Sequence, residues 1–433
     1  MEIAKSAPLK GEIKIPGDKS ISHRAAMLAS LREEPTIIRN YLRAADCLST
    51  LECLRKMGAK IEDDGETLTI RGGLHDATAI LDCGNSGTTL RLLMGLVAGQ
   101  GLSATFTGDD SLKRRPLDRI IKPLRLMGAQ IEGERLPVTI HHSTLHKIRY
   151  EMPIASAQVK SALMLAGLKC GVEIIERIPT RDHTERLLEM IGFGSKGFGS
   201  KGFGNRDLGI KGKPLTPDTR HLTPDTRHLT PDTRHLTPVT LHIPGDVSSA
   251  AYWIVAATLI PKSEIILREV GINPTRTGLI DVLRKMGASI TISNERLVSN
   301  EPVGDIAVKA AALSGAEIGG EIIPRMIDEI PIVSVAAAFA DGQTIIRDVG
   351  ELKVKESNRL TAIMELNKLK PGSVRAEGDT LIISGTAETR NLPCKTFGDH
   401  RIAMSLAIAG MIGEGVTLDD TDCVNISYPH FFS

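Results

Sequence analysis

Apolar positions along the chain recur as one phrase. Four times a short alternating run of the kind expected of a strand ends at Gly followed by Asp or Asn, and a stretch of small and apolar residues dense enough for a buried helix follows: "IKIPGDKSISHRAAMLASL", "AILDCGNSGTTLRLLMGLVAG", "LHIPGDVSSAAYWIVAATLI" and "CKTFGDHRIAMSLAIAGMIG". Two looser versions, "YEMPIASAQVKSALMLAGL" and "PRMIDEIPIVSVAAAFADG", lie between them. A second helical pattern then leads into another strand, as in "LECLRKMGAKIE" and "LIDVLRKMGASITI". In the first of these the apolar residues fall three and four apart, Gly58 stands where a helix C-terminus favours a left-handed residue, and alternation resumes after it. The pattern predicts six small α/β units. At 433 residues the chain has room for two domains of roughly 200 residues, three units in each.

The turns fall near residues 17, 84, 155, 245, 327 and 398, giving intervals of about 67, 71, 90, 82 and 71. The third interval is the long one. It holds "GFGSKGFGSKGFG" (192–204) and a heptad, "LTPDTRH", that occurs three times and once more as "LTPVTLH". Without three heptads the interval shrinks to about 69 residues, so residues 215–235 are expected to form a solvent-facing excursion outside any cleft.

Composition narrows the function classes. Lys plus Arg number 53 and Asp plus Glu 52, so no global field draws the chain to nucleic acid or an anionic membrane. Aromatic residues make only 3%, too few for a base-stacking ladder. The six cysteines show no C-x-x-C pair, the start "MEIAKSAPLKGEIKI" has no apolar signal segment, and the longest apolar run, residues 250–260, is about half a membrane span. A cytoplasmic protein with reduced thiols is expected, and a monomer acting on small molecules is expected with it, although composition does not itself give the oligomeric state. "GFGSKG" matches a dinucleotide fingerprint but follows a helical pattern, and His142 and His146 in "HHSTLH" have no carboxylate or Cys beside them. No nucleotide cofactor and no metal are expected.

Charged residues gather at the turns. "GDKSISHR" places Lys19, Ser20 and Arg24 at a helix start, where free N–H groups and the helix dipole already favour an anion. "GNSGTTLR" adds Gly87 and Arg91, "LKRRPLDRIIK" adds Arg115 among other cations, and "ASAQVK" with "TRDHTER" adds Ser156, Gln158 and Arg181. The last two units carry Asp328, Lys355, Glu356, Arg359, Asp399, His400 and Arg401. Each group alone is ordinary on a solvated helix start. Their recurrence at equivalent turns predicts a cationic cleft with a few carboxylates, suited to small phosphates and carboxylates that Arg grips with two bonds.

"PGDKSISHR", "GNSGTTLR", "GDDSLKRRPLDRII", "MPIASAQVKSALMLAGL", "TRDHTERLL", "NPTRTGLIDVLRKMGA", "ELKVKESNRL" and "FGDHRIAMSLAIAG" resemble, in order and over nearly the whole chain, the 3-phosphoshikimate 1-carboxyvinyltransferase (EPSP synthase) family. The resemblance implies a two-domain inside-out α/β barrel, the enolpyruvyl transferase fold, of six βαβαββ units. The first domain would be residues 1–18 plus 243–433 and the second 19–242, with the repeat insertion at about 192–238. It also implies transfer of the enolpyruvyl group of phosphoenolpyruvate to the 5-hydroxyl of shikimate 3-phosphate, with Asp328 as base and Glu356 and Lys19 delivering and removing the methylene proton. By the same resemblance Lys19, Gly87, Arg115, Gln158, Arg359 and Arg401 hold phosphoenolpyruvate. Lys19, Ser20, Arg24, Ser156, Gln158, Arg181, Asp328 and Lys355 hold shikimate 3-phosphate, and no cofactor is needed.

Glyphosate, a phosphoenolpyruvate mimic to that family, should fit beside Gly87. Departures from the family pattern are Ala157, where a second Ser is common, Leu92, where Pro is common, Asn425 or Ile426 in place of a C-terminal Lys, and an end at "YPHFFS" that omits the last helix of the sixth unit. Two alternatives stand beside this reading. One is UDP-N-acetylglucosamine enolpyruvyl transferase, which uses a Cys in the loop that here reads "GDDSLKRRPLD" and has none. The other is a non-catalytic anion-binding repeat scaffold.

Overall fold

The structure, a computed structural model, describes residues 1–192, 238–386 and 388–432. The excursion expected at 215–235 and the interior of the 192–238 insertion lie outside the described residues.

The described strands form six small sheets, four of them four-stranded. One of these orders Val239–His242, Thr36–Arg39, Thr67–Arg71 and Lys60–Asp63. Its edge strand runs parallel to its neighbour and the other two pairings are antiparallel. The same sequence of pairings recurs in the sheets built on Ala104–Thr107, Glu264–Gly271 and Gln343–Ile346. Repetition in the sequence is therefore repetition of one sheet topology. Of the remaining two, Arg149–Glu151 pairs with Glu173–Ile175, and Glu2–Ile3, Val416–Leu418 and Pro393–Cys394 make a three-stranded sheet.

Two separate cores hold the molecule together, as a chain of this length requires. One takes Ile15 and then residues from Val247 to Phe431; the other runs from Ile21 to Ile191 and adds Leu241 and Ile243. The first helix of each unit is rich in small and apolar residues and is buried over most of its length: Lys19–Ala29, Gly87–Gln100 and Ala157–Ala166 in one core, Val247–Leu259, Ile330–Ala338 and His400–Ile412 in the other. Glycine sets their approach. A Cβ on Gly95 would lie 2.1 Å from the carbonyl oxygen of Ala162, so only glycine lets helices Gly87–Gln100 and Ala157–Ala166 cross this closely. The second helices are amphipathic; Gly278–Met286 buries Leu279, Ile280, Val282, Leu283 and Met286 and leaves its charged face outside. They end at left-handed glycines, Gly58 at φ +98° and Gly287 at φ +107°.

Each core completes one sheet with a strand distant in sequence. Lys10–Lys14 pairs in parallel with Glu264–Gly271, and Val239–His242 pairs with Thr36–Arg39. Where the chain passes between the cores, the two "IPGD" segments bond to each other reciprocally. Asp18 N–H donates to the Pro244 carbonyl at 2.8 Å, and Asp246 N–H donates to that of Pro16 at 2.9 Å.

The chain end closes by aromatic packing instead of a second helix. After a short 3-10 turn, Asp422–Ile426, the Phe431 ring is buried against Tyr252, Trp253 and Tyr428 at centroid distances of 5.3–5.7 Å, and Trp253 Nε1–H donates to the Tyr428 hydroxyl at 3.0 Å. The fifth turn also differs from the others: a 3-10 helix, Gly320–Arg325, precedes it and Ile330–Ala338 starts with no side-chain cap. Among the described residues no helix is long and apolar enough to cross a membrane.

Candidate active site

The helix starts converge on a cavity of about 640 Å³ between the two cores. Asp18 accepts from Ile21 N–H, Ser86 from Thr89 N–H, Ser156 from Val159 N–H and Asp399 from Arg401 N–H, so each turn fixes the first residues of its helix at the cavity edge. This changes one expectation. Amide groups that the turns offered to an anion are partly taken by the turns' own side chains, and Lys and Arg side chains supply most of the positive charge.

From the core that begins at Ile21, the cavity is lined by Lys19, Ser20, Arg24, Gly87, Arg115, Ser156, Gln158 and Arg181. Asp328, Lys355, Glu356 and Arg401 line it from the opposite side. Of the residues expected from the sequence at the cleft, Arg359, Asp399 and His400 are absent from the lining; Arg359 is 1% exposed and lies behind the wall. There its Nε donates to Asp399 Oδ2 at 2.8 Å, its Nη2 donates to Glu356 Oε2 at 2.6 Å, and its Nη1 stands 3.7 Å from Asp328 Oδ1. The guanidinium thus joins both expected catalytic carboxylates to one buried cation.

Asp328 receives Arg181 Nη2 at 2.5 Å and Lys355 Nζ at 3.3 Å. Burial pushes its carboxyl up, but Lys355, Arg181, Arg401 and Arg359 together hold it well below the usual carboxylate range. Glu356 behaves alike: burial raises it, and Arg359 and Arg115, helped by Lys19, bring it well below the usual range. Both groups are therefore carboxylates at neutral pH. His400 is driven the other way, to a neutral imidazole, chiefly by burial and then by Lys19.

Other cations are held in place before any substrate arrives. Arg24 donates to Thr184 Oγ1, Ser161 Oγ and the Ser20 carbonyl at 2.7–2.9 Å, and Arg115 Nη2 donates to Asn85 Oδ1 at 2.7 Å. Lys19 Nζ pairs with the buried Asp46 at 3.1 Å. The basic run around Arg115 divides: Arg119 pairs with Glu351 across the cleft at 2.7 Å, whereas Lys113 and Lys122 pair with exposed acids of their own helices. His142 is exposed, with Nδ1 bonded to the Gly101 carbonyl and Nε2 beside Asp76.

Sequence reasoning named no role for Asp46 and left Arg91 off the list of ligands. Arg91 lines the cavity, donates to Gln158 Oε1 at 2.8 Å, and would stand 2.6 Å from a Cβ on Gly87. Its spacing one helical turn after Gly87 was the available signal. Asp46 opens an unremarkable second helix and offered none.

The sequence pattern of the family described as EPSP synthase (3-phosphoshikimate 1-carboxyvinyltransferase) matches residues 3–226 and residues 220–433. The chain belongs to the EPSP synthase family. A 3-phosphoshikimate 1-carboxyvinyltransferase of Thermoanaerobacter sp. is 46% identical over 441 residues, covering 100% of this chain and 98% of its own length. One from Geobacter sulfurreducens is 43% identical, covering 98% and 95%. The solved EPSP synthase of Acinetobacter baumannii superposes with a TM-score of 0.78 at 36% identity, over 99% of this chain and 96% of that one. The enolpyruvyl transferase NikO of Streptomyces tendae, at 18% identity and a TM-score of 0.73 over 99% and 94%, shares the fold. The two domains and mixed α/β sheets are thus those of an EPSP synthase. Residues 220–226, inside the heptads, are matched from both sides, so the family pattern restarts within the repeats.

Proposed function

We propose that the enzyme transfers the enolpyruvyl group of phosphoenolpyruvate to the 5-hydroxyl of shikimate 3-phosphate, releasing phosphate and giving 5-enolpyruvylshikimate 3-phosphate. The observation that carries this reading is the pair of carboxyl groups, Asp328 and Glu356, set among Arg115, Arg181, Arg401, Lys19 and Lys355 in one interdomain cavity, with Arg359 bonded to Glu356 from behind its wall. On this reading residues 1–18 and 243–433 form one domain and 19–242 the other, each an inside-out barrel of three βαβαββ units; the two separate cores support that division. Both walls of the cavity come from one chain, which is consistent with action as a monomer.

The reaction needs one base and one acid. The substrate hydroxyl's proton passes to Asp328 as its oxygen attacks C2 of phosphoenolpyruvate, while the C3 methylene gains a proton from Glu356 or Lys19. Loss of a proton from the resulting methyl group, with expulsion of phosphate, restores the double bond. An ionised Asp328 is ready for its part. Glu356 must first gain a proton, and the anionic groups of phosphoenolpyruvate supply the reason: they draw on Arg115, Arg359 and Lys19, the cations that hold Glu356 ionised. Substrate binding therefore raises the acid's proton affinity where the proton is needed. Arg115, Arg359, Arg401, Lys19, Gly87 and Gln158 hold phosphoenolpyruvate; Ser20, Arg24, Ser156, Arg181, Lys355, Lys19, Gln158 and Asp328 hold shikimate 3-phosphate.

Phosphate release from phosphoenolpyruvate, measured with shikimate 3-phosphate and in parallel with UDP-N-acetylglucosamine, tests the reading. Release is expected with the first acceptor alone. No release with it refutes the assignment, and release with the second selects the alternative. Asp328→Asn should lower turnover by roughly 10²–10⁴-fold in a folded protein, the range of a lost general base; a scaffold would show no such loss.

A further inference from the structure

Arg276 has no part in the substrate lists above, yet it is 2% exposed in the cavity wall. Its guanidinium lies between two copies of one motif, Gly-Asp-x-Ser, at residues 17–20 and 245–248. Nη1 donates to Asp18 Oδ2 and Ser20 Oγ at 3.4 Å each. Nη2 donates to Asp246 Oδ1 at 3.2 Å and Ser248 Oγ at 2.6 Å. One arm serves each copy. The two copies are the segments through which the chain passes between the cores, so a single side chain ties both helix starts together.

This arrangement sets the polarity of a hydroxyl. Ser20 Oγ receives Arg276 Nη1 and also Arg181 Nη1, at 3.4 Å each. Guanidinium groups only donate, so both arginines occupy lone pairs of the oxygen and leave the hydroxyl's own hydrogen to be given to an acceptor in the cavity. Asp246, gripped by the other arm, also accepts Lys19 N–H at 3.1 Å and fixes the backbone next to Ser20.

We infer that Arg276 is a positioning residue for the alcohol substrate: by reaching both Gly-Asp-x-Ser copies at once it makes Ser20 a committed donor to the substrate's phosphate and keeps the two domains' helix starts in register. This rests on the reading of Ser20 as a shikimate 3-phosphate ligand. A lysine at 276 keeps the charge between Asp18 and Asp246, but its single ammonium cannot present two separated arms.

The test is steady-state kinetics of Arg276→Lys with each substrate varied, alongside the wild type. The variant's KM for shikimate 3-phosphate is expected to rise about tenfold and its KM for phosphoenolpyruvate to change less than twofold, because Arg276 bonds none of Gly87, Arg115, Gln158, Arg359 or Arg401. A residue that only stabilises the fold would move both constants equally or neither, and either result overturns the inference. If Arg276→Lys does not fold, Ser248→Ala decides by the same comparison, with a threefold rise expected for shikimate 3-phosphate alone and equal or absent changes counting against it. A wild type inactive with shikimate 3-phosphate would instead refute the substrate reading.

Discussion

Replacing Gly87 by Ala probes the tightest part of the phosphoenolpyruvate pocket. The new Cβ would lie 2.6 Å from Arg91 Nη1 and 3.3 Å from Arg115 Nη1. Ordinary contact begins near 3.4 Å, so Arg91 must retreat by about 1 Å whereas Arg115 need give only a few tenths. That retreat stretches the 2.8 Å bond from Arg91 Nη1 to Gln158 Oε1 beyond useful range. A hydrogen bond to a charged group contributes about 1.5–3 kcal/mol, which corresponds to roughly a 10- to 150-fold change in an equilibrium constant. The backbone is no obstacle, since Gly87 is not among the positive-φ glycines. The expected outcome is a folded variant whose KM for phosphoenolpyruvate rises about tenfold while kcat falls less, because the atoms nearest the Cβ belong to Arg91 and Arg115 and not to Asp328, Glu356 or Lys19. Glyphosate should inhibit the wild type and should lose at least tenfold in potency against the variant. Steady-state kinetics with and without glyphosate decide. A KM within twofold of the wild type, or equal and weak inhibition of both proteins, refutes the reasoning.

Stability should fall as the pH is lowered from 8 to 5, because burial holds His23 and His400 well below the imidazole range and the unfolded chain therefore takes up their protons first, near pH 6.5. Asp328 and Glu356 are depressed carboxylates, so their contribution is present above about pH 4 and is lost only as the pH drops further; urea midpoints that stay level from pH 8 to 5 would contradict the histidine part. Phe431→Ala should cost about 3 kcal/mol and lower the melting temperature by about 10 °C, since it empties the aromatic cluster that closes the chain end; calorimetry showing no shift would mean that the cluster adds nothing. Removing residues 215–235 should leave both KM values within twofold, and a tenfold loss of affinity for either substrate would place the heptads at the cleft.

Most of the fold was legible because its unit is local. Asp18 and Asp399 cap their own helices two or three residues on, and Gly58 and Gly287 end theirs, so each turn announces itself within a few positions. The cleft was legible for a different reason: repetition put charged residues at equivalent turns, and the turns converge. What stayed hidden depends on contacts between distant positions. Asp46 meets Lys19 from another helix, and Arg276 reaches Asp18 across 258 residues. The pattern puts Arg359 near the cavity but gives no sign that its guanidinium bonds Asp399 and Glu356 from behind the wall. The fifth turn was legible only as a looser version of the others, and its start has no side-chain cap and a 3-10 helix before it.

The pairing of strands far apart in sequence has a consequence for synthesis on the ribosome. Lys10–Lys14 is among the first segments made, and its partner Glu264–Gly271 follows some 250 residues later, which at ordinary translation speeds is roughly 10–50 s. For that interval the strand has no native neighbour. Its sequence, KGEIK, meets the danger with charge: Lys10, Glu12 and Lys14 keep it hydrated and discourage pairing with a passing edge. The sheet that contains Thr36–Arg39 likewise stays incomplete until Val239–His242 arrives, so the core built from residues 19–242 can close before most of the other is made, while Lys10–Lys14 must wait.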